Sequence, residues 1–169
     1  GFTMELELND SNRLNIYAML CEDVTDDPKS FINVYDTLEL NDENSMDFKI
    51  VLFSNTIGIC GFKTQVHIQY VKDLDGNLIE KGMLVGELNI PPLSGENCKK
   101  KKKVNASFPG SNGVYIINMK NMKFPGKGEY SILITYKERE NNEKVQKEEN
   151  IQKEDENWKL ASTSYFKVL

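Results

Sequence analysis

Apolar side chains recur at every second residue along much of this chain, and this period constrains the fold more than any other sequence feature. The clearest case is the segment 62–71, in which alternate residues form two sets. The mainly apolar set is Phe62, Thr64, Val66, Ile68 and Tyr70, and the polar set is Lys63, Gln65, His67 and Gln69. Because successive side chains of a β-strand point to opposite faces, the pattern predicts a strand with one buried and one solvated face. Asp75 and Gly76 then suit a tight turn, and residues 78–81 are predicted to return as the partner strand.

Further strands are predicted from the same alternation or from apolar runs rich in β-branched and aromatic residues. These segments are residues 14–21, 31–40, 48–53, 83–90, 113–119, 129–137 and 158–168. No window of helical period reaches the roughly 10 to 12 residues that an amphipathic helix needs for its recognition. The sequence therefore predicts an all-β fold, a sandwich or a barrel, with about seven to nine mostly antiparallel strands expected by analogy with known sandwiches.

The length of 169 residues fits one sandwich domain, residues 1–169, with two appendages. Residues 1–12 are interpreted as an N-terminal arm. Residues 137–157 are interpreted as a charged hairpin extension, one long charged loop that has too few apolar residues to offset the entropy of ordering it. A run of five lysines, Lys99 to Lys103, is interpreted as a solvated loop that keeps a sheet edge soluble.

The turn from Phe124 to Tyr130 carries a packing motif of sandwich proteins. A Pro-Gly turn is followed by Gly128, Tyr130 and the apolar run 132–134. A tyrosine that enters a late strand at such a corner can bond to nearby backbone through its hydroxyl group. We predict that role for Tyr130.

The bulk charge bears on the class of partner. The formal net charge is −5 and the sequence pI is about 5.1, which disfavours binding to nucleic acid phosphates or to anionic lipid. No run approaches the roughly 18 apolar residues that span a bilayer, and no signal peptide is recognisable. With Gly1 to Thr3 interpreted as a cloning remnant ahead of Met4, a cytoplasmic location is expected; the alternative is that a signal has been removed.

Cysteine and histidine usage argues against a chemical site. Cys21, Cys60 and Cys98 are odd in number and widely spaced, which indicates unpaired thiols, and Cys98 in a polar loop is the best candidate for reactivity. His67 is the sole histidine and falls on the polar face of a strand. No nucleophile elbow, phosphate loop or dinucleotide fingerprint occurs. We therefore expect no enzyme activity, no catalytic residue, no cofactor and no small-molecule ligand.

Calcium is the one metal for which the sequence offers candidate ligands. Asp23, Asp26 and Asp27 follow the first predicted strand, and Asp73 and Asp75 flank the predicted hairpin turn. The second group departs from an EF-hand loop because its glycine comes too early and Leu84 stands where the loop needs glutamate. The two groups could bind calcium only if they met at one end of the sandwich; otherwise they serve turns and caps.

Several segments, taken in order, resemble an uncharacterised family of small bacterial Ig-like β-sandwich proteins, a domain of unknown function. They are residues 18–24, the strand end at Tyr35 and Asp36, the 73–76 hairpin, the 124–130 turn and the closing strand 166–168. The resemblance covers most of the chain from Ile16 onward, while the lysine run and the charged tract depart from it. It implies a cytoplasmic sandwich without assigned activity.

The sequence thus favours a non-enzymatic interaction module that binds a protein partner, or a second copy of itself through an edge strand. Two alternatives stay open. One is a calcium-dependent ligand-binding sandwich that uses the Asp-rich end loops. The other is a hydrolase whose carboxylates come from distant strands, because such acids need only spatial proximity.

Overall fold

The structure is a computed structural model that describes residues 14–27, 29–57, 61–90, 110–138 and 158–169. Within these ranges every regular element is a β-strand. The strands are β1 (Leu14–Thr25), β2 (Ser30–Tyr35), β3 (Thr37–Leu38), β4 (Ser45–Ile57), β5 (Phe62–Asp73), β6 (Leu78–Ile90), β7 (Gly110–Lys123), β8 (Gly128–Glu138) and β9 (Lys159–Val168). The arm 1–12, the lysine run, Cys60, Cys98 and most of the extension 137–157 lie outside the described residues.

Two sheets form the fold. Sheet A has the strand order β2-β1-β4-β7, and sheet B has the order β3-β9-β8-β5-β6. Neighbouring strands are antiparallel except for the short pairing of β3 with β9, which is parallel. The sheets pack face to face, so the predicted all-β sandwich is confirmed.

The core lies between the sheets and is built from alternate residues of the long strands. Sheet A contributes Ile16, Ile50 and Leu52, and sheet B contributes Val66, Ile68, Ile132 and Ile134, all almost completely buried. Each such side chain stabilises the fold by about 1.5–3 kcal/mol through its removal from water. The alternation predicted for residues 62–71 is confirmed, because the Phe62-to-Tyr70 set is buried and Lys63 is exposed.

The segment 31–40 differs from its prediction as one strand. It forms β2 in sheet A and β3 in sheet B, with a break at Asp36. The chain crosses between the sheets at this point, and Leu38 becomes fully buried beside β9. β-propensity alone does not reveal such a crossing, since both halves remain extended. In the other direction, the two predicted segments 78–81 and 83–90 are one continuous strand, β6.

The predicted bond of Tyr130 to backbone is confirmed. Its hydroxyl group donates to the carbonyl oxygen of Gly126 at 2.6 Å. Tyr70 does the same for the carbonyl oxygen of Lys127, also at 2.6 Å, and its ring stacks on that of Tyr130 with centroids 4.5 Å apart. Two buried hydroxyl groups therefore satisfy the carbonyls of the turn between β7 and β8 without exposing the core.

Candidate binding face

The carboxylate of Asp73 organises the turn between β5 and β6. Its Oδ1 atom accepts hydrogen bonds from the backbone N–H groups of Asp75 and Asn77, each at 2.9 Å, and its Oδ2 atom accepts one from the Asn77 side chain at 3.0 Å. These donors, the Asn77 side chain first, lower the pKa of Asp73 below its usual value. The Asp73 carboxylate thus stabilises the turn by accepting hydrogen bonds, which was the predicted alternative to its role as a calcium ligand.

The aspartates after the first strand have different surroundings. Asp23 lies 3.5 Å from Lys49 Nζ and accepts a hydrogen bond from the N–H of Val24 at 2.8 Å, while Asp26 and Asp27 are exposed at the hairpin tip. Among the described residues no group of three or more Asp, Glu, His or Cys side chains could hold a metal ion. The structure therefore does not bring Asp23, Asp26 and Asp27 together with Asp73 and Asp75.

We expect Asp73→Ala to lower the melting temperature at pH 7 and to lose most of this effect in acid. The folded-state pKa lies below the unfolded one, so the carboxylate stabilises the fold above the ordinary carboxyl pKa, and the stabilisation is lost as pH falls through the lowered folded pKa. The measurement is thermal melting from pH 7 to pH 3. Asp75→Ala removes the same charge from the same turn and is the control, since its backbone rather than its side chain bonds to Asp73. Equal effects of the two variants at every pH would contradict this role of Asp73.

The outward residues of β5 in sheet B are polar, whereas those of β6 and β9 include the exposed Leu84, Leu160 and Tyr165. His67 lies on β5 with a ring nitrogen 3.4 Å from Gln65 Oε1, and Gln65 also donates to Glu87 at 3.3 Å. Lys63 and the strongly exposed Tyr165 extend the face along β5 and β9. The predicted position of His67 on the polar face is confirmed, and its neighbour there is an amide.

The centre of the outer face of sheet A is apolar. Cross-strand partners point to the same side of a sheet, and the register pairs Tyr17 with Phe53 and Phe53 with Val114. The same register pairs Met19 with Val51 and Val51 with Ile116. We call this set the apolar face: Tyr17, Met19, Cys21, Val51, Phe53, Val114 and Ile116. The rings of Tyr17 and Phe53 are stacked at 5.1 Å, and Tyr17 remains 43% exposed.

The hairpin formed by β1 and β2 turns back over this face. Phe31 of β2 pairs with Val24 of β1. Phe53 of β4 pairs with Tyr17, which lies seven residues before Val24 in β1. A straight strand would separate those positions by roughly 23 Å. The rings of Phe31 and Phe53 nevertheless meet edge to face, with centroids 5.5 Å apart. The hairpin must therefore curve so that Phe31 lies on the apolar face.

Cys21 lies where this curvature begins. It is the last β1 residue that pairs with β4, opposite Lys49, and its free thiol is fully buried. Burial raises the pKa of the Cys21 thiol, although nearby Lys49 lowers it in part. The interpretation of Cys21 as a small buried hydrophobe agrees with this environment.

Sequence reasoning missed the apolar face, yet a signal was present. In β1 the residues opposite to the buried set include Tyr17, Met19 and Cys21, and in β4 they include Val51 and Phe53. Both strands are therefore apolar on both faces over part of their length. An ordinary half-exposed strand would place polar residues at these positions.

Together these features define an all-β sandwich with an apolar patch on the outer face of sheet A. Comparisons of the chain with protein-family models, with curated proteins and with solved structures gave no match. Its membership of the bacterial family that it resembles stays a prediction. A search of the described residues for a helix long and apolar enough to cross a membrane found no such helix.

Proposed function

We propose that the chain is a non-enzymatic interaction module that binds a protein partner through the apolar face of sheet A. The observation that carries this proposal is the stacked pair of Tyr17 and Phe53, which lies among apolar neighbours on the outer side of sheet A. Sandwich strands usually expose polar side chains on their outer side, as β5 does with Lys63, Gln65 and His67. Sheet A instead exposes Tyr17, and Val34 of β2, which pairs with Cys21 of the apolar face, is 59% exposed.

The chemistry of the face favours protein over other partners. The centres of protein interfaces are enriched in aromatic residues and methionine and depleted in charge. Tyr17, Phe53 and Met19 supply that composition. The net charge of −5 and the acidic hairpin tip oppose nucleic acid and anionic lipid. The partner is therefore expected to present a complementary apolar surface.

An Ig-like arrangement is part of the proposal and gives this face its context. Three features support it: the parallel pairing of β3 with β9, the central position of β8 in sheet B, and the Tyr130 hydroxyl group bonded to Gly126. In this arrangement the outer sheet faces and the end loops form the recognition surfaces of a rigid scaffold. A cytoplasmic location is proposed with it.

Val34→Lys should weaken partner binding at least about tenfold, and Tyr165→Lys should preserve it. Val34 is exposed beside the apolar face, so a lysine there is tolerated by the fold but places a charge in an apolar interface. Tyr165 is 75% exposed on the outer face of the opposite sheet and is the matched control. The wild type, Val34→Lys and Tyr165→Lys serve as baits in pull-downs from lysate of the source cells. Quantitative mass spectrometry identifies the retained proteins, and titration calorimetry with the purified partner measures the affinities.

The expected result is one protein retained by the wild type and by Tyr165→Lys, with an affinity reduced at least about tenfold in Val34→Lys. Circular dichroism and melting curves check that all three proteins are folded. If no protein prefers the wild type over Val34→Lys, or if Tyr165→Lys alone loses its partner, the apolar face is not the binding surface.

A further inference from the structure

The distal part of the β1–β2 hairpin is a separate structural unit on the apolar face. We call residues 22–25 and 30–33 its arms. The ladder between β1 and β4 ends at Cys21 and Lys49, whereas the ladder between β1 and β2 continues to Thr25 and Ser30. Beyond Cys21, the backbone pairing of the arms is with each other.

Side-chain contacts tie the arms to β4. One is the edge-to-face contact of Phe31 with Phe53, and the other is the ion pair of Asp23 with Lys49 at 3.5 Å. The Asp23 side chain is 55% exposed, and solvent-exposed ion pairs contribute little stability. Of these two contacts the one made by Phe31 is therefore the stronger. Because the arms lie beyond the end of the β4 ladder among the described residues, we expect them to open locally before the sandwich unfolds.

The residues beside the bend are those that a partner would need. Cys21 and Val51 belong to the apolar face but are fully buried. The curved hairpin passes from Cys21 to Phe53 and so covers the part of the face between them. At the start of the bend, Asn33 has a φ of 52°, a left-handed conformation that asparagine adopts more readily than most residues.

We propose that the arms are a lid that opens to expose the centre of the apolar face and thereby regulates partner binding. This inference rests on the proposed function of that face. In the closed state the partner can contact Tyr17 and Val34 at the margin, while Val51 and Cys21 stay covered. Partner affinity is then reduced by the fraction of molecules in which the lid is closed.

The test uses modification of Cys21 by N-ethylmaleimide as a reporter of opening, followed by mass spectrometry of the Cys21 peptide at increasing urea. Local opening exposes little surface, so its rate is nearly independent of urea, whereas global unfolding accelerates steeply with urea. We expect a urea-independent rate in the wild type at low urea. Phe31→Ala should raise that rate roughly three- to tenfold, as expected for loss of an aromatic pair.

Ile32→Ala is the matched control, because Ile32 is a neighbouring apolar residue on the same arm and is 39% exposed. It should leave the Cys21 rate within about twofold of the wild type. The lid is overturned if the Cys21 rate follows global unfolding over the whole urea range, or if both variants raise it equally. The reporter needs no partner, so a failure of the lid is distinguishable from a failure of the Val34→Lys experiment.

Discussion

Gly128→Ala is expected to destabilise the protein by about 3–5 kcal/mol, because it combines backbone strain with a collision between main chains. Gly128 has a φ of 145°, which residues with a Cβ atom rarely adopt. A Cβ atom at this position would lie 2.0 Å from the carbonyl oxygen of Lys72 and 2.9 Å from the Cα atom of Asp73. Backbone atoms of a paired strand cannot rotate away as a side chain can.

The place of Gly128 in the sheet increases the effect. It opens β8 and pairs with Asp73 of β5 on one side and with Val168 of β9 on the other. A shift of its backbone therefore disturbs two ladders of sheet B and the adjoining turn. Urea unfolding monitored by circular dichroism measures the loss, and the unfolding midpoint should fall without a new intermediate.

Gly76→Ala is the control that introduces backbone strain without a steric collision. Gly76 has a φ of 84° in the neighbouring turn, but a Cβ atom there would meet nothing within 4 Å. Its cost is expected to be about 1 kcal/mol from conformation alone. If the two alanine variants lose the same small amount of stability, β8 does not approach β5 as closely as the structure shows.

The strands of sheet B could be predicted well from sequence because a local pattern within each strand specifies its buried face. In β5, Val66 and Ile68 alternate with His67 and Gln69, and a local period of two is sufficient to choose the buried face. The turn at Asp73 is equally local, since its carboxylate bonds to residues two and four positions away. Tyr130 likewise reaches Gly126 only four residues back.

The candidate binding face could not be derived in the same way. Tyr17, Phe31 and Phe53 are far apart in sequence, and they meet only because β1 pairs with β4 while its distal end curves back. That curvature depends on where the β4 ladder stops, which no local pattern in β1 encodes. The break at Asp36 is a similar case, because the exchange of sheets is decided by the partners β1 and β9.

Tyr130→Ala is expected to cost about 3–5 kcal/mol, as for the removal of other large buried aromatic residues. Tyr130 is 1% exposed and lies at the centre of an aromatic cluster. Its ring stacks on Tyr70 and Phe166 and meets Phe124 edge to face at 5.3 Å. Removal leaves a cavity bordered by three rings that are also held by their own strands, so collapse around it is limited. Urea unfolding at pH 7 provides the measurement.

Tyr130→Phe isolates the hydroxyl group and should cost about 1–2 kcal/mol, because the ring contacts remain while the Gly126 carbonyl loses its donor. Burial raises the pKa of Tyr130 to about 12. The folded state then retains the phenolic proton that the unfolded chain releases near pH 10, so wild-type stability falls as pH rises from 10 to 12. The Tyr130→Phe variant has no phenolic proton at this position and does not lose stability in this way. The difference in unfolding free energy between it and the wild type should therefore shrink from pH 10 to pH 12.

Tyr165→Phe is the control, since that side chain is 75% exposed and its hydroxyl group is in solvent. Its stability should match that of the wild type at pH 7. If the Tyr130→Phe deficit stays constant from pH 7 to pH 12, the hydroxyl group is not buried against the turn. Its bond to Gly126 would then not be what holds β8 to the end of β7, and the support that this corner gives to an Ig-like arrangement would be lost.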